Sequence, residues 1–227
     1  MVTYYTALGR MITKTENGVK IPIIMIEDTE YHMSIDELII WGALQWSFLD
    51  KEAIEKEYGR RKAKYRIFND TSFVQTLNRL EVRGLVVSGT DYLAGDALYG
   101  LIGTLKIRPV RISTVERLKS ASYLYFIKGI SLKKCYKAYF GTKITPNERN
   151  VLKLSRRVGI TASEIIKCAE RKIYNMKSED DIMNKLYSDS SMTYETLTIH
   201  SRFSELKSDV VKAVANLYLK KKIIFEN

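Results

Sequence analysis

Side chains suited to hydrogen bonding with base edges occur at helical spacing in one short stretch, TSFVQTLNRLEVRG (residues 71–84). Its apolar residues recur at the spacing of one helix face: Phe73, Leu77 and Leu80. A helix is therefore predicted over Ser72–Arg83, ended by Gly84. The outward positions carry the polar side chains Thr71, Gln75, Asn78, Arg79 and Arg83. Glutamine and asparagine can form two hydrogen bonds with adenine, and arginine with guanine, so these types favour base recognition.

A second stretch, RRVGITASEIIK (156–167), fits the helix-turn-helix pattern around Gly159. The positions that pack such a helix pair carry apolar or small residues: Leu154, Ser155, Val158, Ile160, Ile165 and Cys168. Thr161 and Glu164 form a capping box that predicts the start of the second helix. This interpretation places Thr161, Ala162, Ser163 and Lys167 at the bases, and Lys153, Arg156, Arg157 and Arg171 near phosphates. The alternative is a glycine that ends one helix of an ordinary bundle.

The positive charge of the chain is concentrated in one region. The net charge is +11, and residues 111–177 alone carry sixteen Lys/Arg against four Asp/Glu. Such a region favours phosphate binding, because affinity for nucleic acid comes largely from counterion release at Lys/Arg contacts. Solvated faces of lysine-rich helices are the alternative. In residues 118–140, aromatic residues alternate with lysines, which suits either helix packing or stacking on single-stranded bases.

Residue types and spacings needed for catalysis do not occur together in this sequence. It contains neither a phosphate-binding G-x-x-x-x-G-K-[ST] nor a G-x-G-x-x-G motif. His32 and His200 are the only histidines, and neither has a cysteine or histidine at metal-ligand spacing. We therefore expect no enzyme activity, no cofactor and no metal.

Composition is that of a folded protein. The 227 residues are 45% hydrophobic with 3 prolines, no apolar run is long enough to span a bilayer, and the N-terminus lacks a signal peptide pattern. Two cysteines, Cys135 and Cys168, are too few for a disulfide framework. These observations predict a cytoplasmic protein without a membrane partner.

Turn and capping signals divide the N-terminal part into elements. A strand is predicted over Val19–Glu27, a helix over Ile35–Phe48 capped by Ser34 and Glu37, and a short helix over Lys51–Tyr58 capped by Asp50. The segment 59–71 is too basic and irregular for a core element, and its cations are predicted to contact DNA: Arg60, Arg61, Lys62, Lys64 and Arg66. The glycines that follow predict a β-hairpin over residues 85–108.

Three helices followed by a hairpin resemble a winged-helix domain, over residues 34–108. The resemblance implies that the third helix enters the major groove and that the hairpin touches the flanking backbone. Here about eleven residues separate the second and third helices, where the family usually has a tighter turn. A winged helix that contacts protein instead of DNA is the alternative.

Two further similarities concern the C-terminal half. Residues 136–176 are similar to the helical module of DnaD-type replication proteins, through an aromatic-glycine pair before ITPNE and through SEII. Residues 72–87 align without gaps with residues 209–224, which suggests a second, truncated winged helix over 178–227. The alternative for that helix is a dimerisation stripe, formed by Val210, Val214, Leu217 and Tyr218.

Together these patterns predict a mainly α chain with small β content. Its parts would be an N-terminal winged-helix domain (1–110), a basic helical region with the helix-turn-helix (111–177) and C-terminal helices (178–227). The predicted function is sequence-specific transcriptional regulation through double-stranded DNA, as a homodimer, with no small-molecule effector indicated. The alternatives are a plasmid or phage replication or partition factor, and a protein-interaction module whose basic face meets an acidic partner.

Overall fold

The computed structural model describes residues 1–110, 143–189 and 191–227, so the stretch 118–140 lies outside the described residues. The elements of the first part are β1 (Val2–Ala7), β2 (Arg10–Glu16), β3 (Val19–Ile26), β4 (Thr29–Tyr31), α1 (Ile35–Leu44), α2 (Lys51–Tyr65), α3 (Phe73–Val82), β5 (Val86–Asp91), α4 (Ala94–Ile102) and β6 (Lys106–Pro109). Those of the second are α5 (Pro146–Leu154), β7 (Ile160–Thr161), α6 (Ala162–Glu170), α7 (Glu179–Leu186), α8 (Tyr194–Arg202), α9 (Lys207–Leu219) and β8 (Ile223–Glu226).

The winged-helix prediction for the N-terminal part is wrong. The chain begins with four strands, three of which form a separate antiparallel sheet in the order β2-β3-β4. The strand that follows α3 does not turn back into a hairpin: β5 pairs with β1, α4 lies in the middle of the predicted hairpin, and β6 pairs with β7 and β8 instead of β5. The prediction of a separate helical C-terminal domain is wrong as well, because β7 and β8 both pair with β6 of the N-terminal part.

The glycines of α4 satisfy turn rules, so the sequence predicts turns where the structure has a helix. Gly95 and Gly100 lie within α4, where Ala97, Leu101 and Ile102 are buried at helical spacing. The helix packs directly on β5. A Cβ on Gly89 would lie 2.5 Å from the Ala97 carbonyl oxygen, so the absent side chain at Gly89 permits this close approach.

Local signals placed several element boundaries correctly. The Asn17-Gly18 turn joins β2 to β3 with both residues at positive φ, and the capping boxes at Ser34 and Thr161 are present. Helix α2 continues to Tyr65, beyond the predicted Tyr58, and includes four of the five cations predicted for the connection, with Arg66 as its C-cap. Ion pairs from Glu57 to Arg60 and Arg61, three and four residues on, stabilise this extension.

The chain builds one arrangement of strands twice. In the first, β1 lies between β5 and a single bridging residue, Leu49, and pairs antiparallel with both. In the second, β6 lies between β8 and the two-residue strand β7, again antiparallel to both. Each bridging segment runs directly into the N-cap of the next helix, Asp50 for α2 and Thr161 for α6.

We call these two arrangements units, one running from β1 to β5 and the other from β6 to β8. The last helix and the last strand of the two units also correspond. Helix α3 ends at the left-handed residue Gly84 (φ 65°) and continues into β5, and α9 ends at the left-handed residue Lys221 (φ 57°) and continues into β8. Residues 72–87 and 209–224, aligned above on sequence alone, therefore share their local structure. Strand β8 has its partner in β6, far earlier in the chain.

Aromatic residues join the two units into one core. The Tyr218 ring lies 5.2 Å from Phe48 and 4.5 Å from Phe225, measured between centroids. The Tyr218 hydroxyl accepts a hydrogen bond from Thr6 Oγ1 (2.9 Å) and donates one to the Ala7 carbonyl (3.1 Å). The buried hydroxyl is thus satisfied by strand β1 of the other unit, which fixes the two units against each other.

Candidate nucleic-acid interface

Three of the four residues predicted to face bases in the helix-turn-helix lie inside the protein: Thr161, Ala162 and Ser163. Thr161 is 4% exposed and Ser163 is fully buried. Thr161 caps α6, and the Ser163 hydroxyl donates to the Gly103 carbonyl at 2.7 Å. These three positions cannot reach a nucleic acid, so the prediction for them is wrong.

The reason is that α6 is covered on both sides. The residues expected to pack the helix pair are buried as predicted: Leu154, Ser155, Val158, Ile160, Ile165 and Cys168. The opposite side, however, packs against α8 and the end of α4, where Tyr99 lies 2.9 Å from Ser163, measured between hydroxyl oxygens. Gly159 is not left-handed and leads into β7, so it does not form the expected turn.

The other predicted residues of this region lie at or near the surface. Lys167 pairs with Glu170 at 2.9 Å, and Arg171 donates to the Lys185 carbonyl. Lys153, Arg156 and Arg157 are exposed on and just after α5. The one acidic residue in 143–163 is Glu148, which is buried, so this surface of α5 is basic.

In helix α3, the polar side chains predicted to read bases are exposed, with one exception. Gln75, Asn78 and Arg79 lie on the solvent side, together with Val74 and Val82. Within the described helix α3, none of the exposed residues is acidic. The N-cap residue Ser72 makes no side-chain capping bond, so capping does not occupy the first backbone N–H groups of the helix.

Arg83 is the exception. Its guanidinium donates to the Glu37 carboxylate at 2.8 Å and to the His32 carbonyl at 2.7 Å. These bonds hold the end of α3 against the start of α1. Its donors therefore serve the fold, and a DNA contact by Arg83 stays a prediction.

The second half of α2 carries the remaining predicted cations, and they differ in how freely they can act. Arg60 and Arg61 both bind Glu57, and these bonds lower the pKa of that carboxyl to about 2. Lys62 donates to the Asn69 carbonyl at 2.9 Å, and its side chain is only 15% exposed. Lys64 and Arg66 are exposed.

Helix α2 contacts the start of α3 through one pair of aromatic rings. The Tyr58 and Phe73 rings are 5.6 Å apart, and the Lys62 bond to Asn69 draws the connecting loop back along α2. Charge is also unevenly distributed along this part of the chain. Residues 1–57 carry five Lys/Arg and ten Asp/Glu, whereas residues 58–83 carry seven Lys/Arg and two Asp/Glu. The sequence predicts the cations of residues 59–71 as DNA contacts, but it places them in an irregular connection, whereas most of them lie on α2.

Comparison of the chain with known protein families, with curated proteins and with solved structures finds no match in any of the three. Each helix in the described ranges is too short or too polar to cross a membrane.

Proposed function

We propose that this protein binds double-stranded DNA, with the exposed face of α3 as the element that enters the major groove. The observation that carries the proposal is this face itself: Gln75, Asn78 and Arg79 point to solvent, with no exposed carboxylate on the described helix. An α-helix fits the major groove, and these three residue types make the commonest bidentate contacts with adenine and guanine.

The basic half of α2 would supply the backbone contacts. Arg60, Lys64 and Arg66 are exposed on the last turns and at the C-cap of α2, whose Tyr58 ring contacts Phe73 at the start of α3. In this proposal they neutralise phosphates beside the groove. Binding dominated by such contacts weakens steeply as salt rises, because the counterions released on binding must be returned to a more concentrated solution. Arg61 and Lys62 would serve chiefly to hold the α2 surface in shape.

Within this proposal the protein acts as a sequence-specific regulator. The central α3 positions carry side chains that discriminate among bases, whereas a purely electrostatic binder needs only Lys and Arg. Selection of bound fragments from the native genome distinguishes transcriptional regulation from a replication or partition function. Promoter-proximal fragments support regulation, and recovery of a replication origin alone supports the replication or partition function.

The contribution of α3 is tested with the fragments so selected. Arg79→Ala and Asn78→Ala should each weaken binding to the selected duplex by roughly 1–3 kcal/mol, and binding to a scrambled duplex much less. Lys212→Ala, which removes one exposed cation from α9, is the charge-matched control and should leave specificity unchanged. Fluorescence anisotropy at fixed salt measures both. If the α3 variants bind the selected duplex as the parent does, α3 is not the reading element.

A further inference from the structure

A cavity of about 540 Å³ opens between α6 and the helices α7 and α8. This volume lies within the range of small-molecule sites, about 300–1,000 Å³. Its lining residues are Lys106, Gly159, Glu164, Glu179, Ile182, Met183, Tyr187, Asp189, Met192, Thr193 and Tyr194. The cavity is not needed for DNA binding by α3, since none of its lining residues belongs to α2 or α3.

Apolar and aromatic side chains form one part of the wall. Ile182 and Met183 come from α7, and Met192 from the loop before α8. The two tyrosines are held in place through their hydroxyl groups: Tyr187 donates to Glu164 Oε1 at 2.9 Å, and Tyr194 to the Thr104 carbonyl at 2.8 Å. Fixed aromatic rings and flexible thioethers together form a surface that suits the apolar part of a small ligand.

The charge of the wall is opposite to that of the protein as a whole. Among the described residues that line the cavity, three are acidic and one is basic, although the chain has a net charge of +11. The single ammonium, on Lys106, pairs with Glu27 at 3.0 Å. Burial, and then the negative charge of Glu164, raise the pKa of Tyr194 to about 12, which agrees with a negative potential at this wall.

We propose that this cavity binds an amphipathic organic cation, namely a primary amine attached to an aromatic or alkyl body. Carboxylates at Glu179 and Asp189 would bind the ammonium group, and both residues are exposed at the rim. The tyrosine faces would add cation–π attraction, and the methionines would cover the apolar body. A neutral ligand of the same shape would gain only the apolar part, and an anionic one would be repelled.

The test compares three ligands of one shape: 2-phenylethylamine, 2-phenylethanol and phenylacetate. Isothermal titration calorimetry with the full chain should show that the amine binds about tenfold more tightly than the alcohol. This difference in affinity corresponds to the free energy of one charge-assisted hydrogen bond. Phenylacetate should not bind. Equal affinity for amine and alcohol, or no binding of the amine at millimolar concentration, would overturn the proposal.

Variants locate the binding site. Glu179→Gln combined with Asp189→Asn should weaken amine binding about tenfold and leave the alcohol unchanged, because only the ionic contact is removed. The matched control is Asp180→Asn with Glu195→Gln, two exposed acids on α7 and α8 that do not line the cavity. If the control variant weakens amine binding as much, or if neither variant weakens it, the amine binds elsewhere and the assignment is refuted. Far-UV circular dichroism checks that each variant is folded.

Discussion

The Lys220 ammonium lies 2.7 Å from both carboxylate oxygens of Glu148, whose side chain is completely buried at the start of α5. The same relationship exists in the other unit, where Arg83 lies 2.8 Å from Glu37 at the start of α1. Both glutamates occupy the third position of a helix with a capping box, and both cations are the C-cap of the closing helix. Each unit therefore joins its first helix to its last through one ion pair.

Replacement of Lys220 by methionine should destabilise the protein by about 3–5 kcal/mol, because it leaves the buried Glu148 carboxylate without its counter-charge. Urea unfolding followed by circular dichroism measures this. The double variant Glu148→Gln with Lys220→Met should recover part of the loss, and Lys212→Met, at an exposed position, should cost little. A loss for Lys220→Met no larger than for Lys212→Met would contradict the role of the pair.

Acid should destabilise the protein in part through Glu37. Burial alone would raise the pKa of Glu37, but the Ser34 amide and the Arg83 guanidinium outweigh it and leave the pKa below its ordinary value of 4.5. The resulting stability is present above the unfolded-state pKa and is lost as the pH falls through the lower folded-state value. Glu37→Gln should therefore flatten the fall of the urea midpoint between about pH 5 and pH 3. Glu205→Gln, at an exposed site, is the control; identical pH profiles for parent and Glu37→Gln would refute the prediction.

A glycine that packs against α4 and a glycine inside α4 should respond oppositely to alanine. At Gly89 the new Cβ would meet the Ala97 carbonyl oxygen and the Leu101 nitrogen at 2.5 and 2.6 Å, so β5 and α4 must separate. At Gly100, an exposed position within α4, it would meet nothing within 4 Å. We expect Gly89→Ala to lower the thermal midpoint by several degrees, and Gly100→Ala to raise stability by about 0.5–1 kcal/mol through helix propensity. Differential scanning calorimetry measures both thermal midpoints. An unchanged midpoint for Gly89→Ala would mean that α4 does not pack on β5 this closely.

The basic surface of α5 offers a separate test of DNA binding. Arg156→Ala with Arg157→Ala should weaken binding across all DNA sequences and reduce the dependence of log K on log salt by about two, because each arginine would neutralise one phosphate. Titrations from low to moderate salt measure this slope. Lys20→Ala with Lys212→Ala removes the same charge at exposed positions of β3 and α9. An unchanged slope in the α5 variant would show that DNA does not contact this surface.

Cap and turn residues predicted more of the fold than the family resemblance did. Ser34, Asp50 and Thr161 cap helices at the predicted residues, and Gly84 ends α3 as expected. The resemblance to a winged helix reproduced three helices in order, but it assigned a hairpin where α4 lies. The glycines of α4 satisfy turn rules and also tolerate a helix, and local sequence does not distinguish these outcomes.

For the candidate interface, spacing predicts the exposed positions Gln75, Asn78 and Arg79 of α3 correctly, whereas three residues predicted to face bases at the start of α6 are buried. Gln75, Asn78 and Arg79 are exposed because no other element covers that side of α3 among the described residues. Ser163 is equally polar, yet Gly103 and Tyr99 approach it from a distant part of the chain. Polarity alone therefore did not separate a solvent-facing residue from a satisfied interior one.

The amino-acid sequence by itself determined where most helices begin, where α3 ends, and that two stretches of the chain share a helix followed by a strand. These features depend on capping bonds and apolar periodicity, which act over a few neighbouring residues. Only the tertiary structure decided that β1 and β6 each lie between two partners, that Arg83 and Lys220 close ion pairs, and that α6 is buried on both sides. Each of these depends on contacts between residues far apart in the chain, whose pairing follows from how the whole core packs.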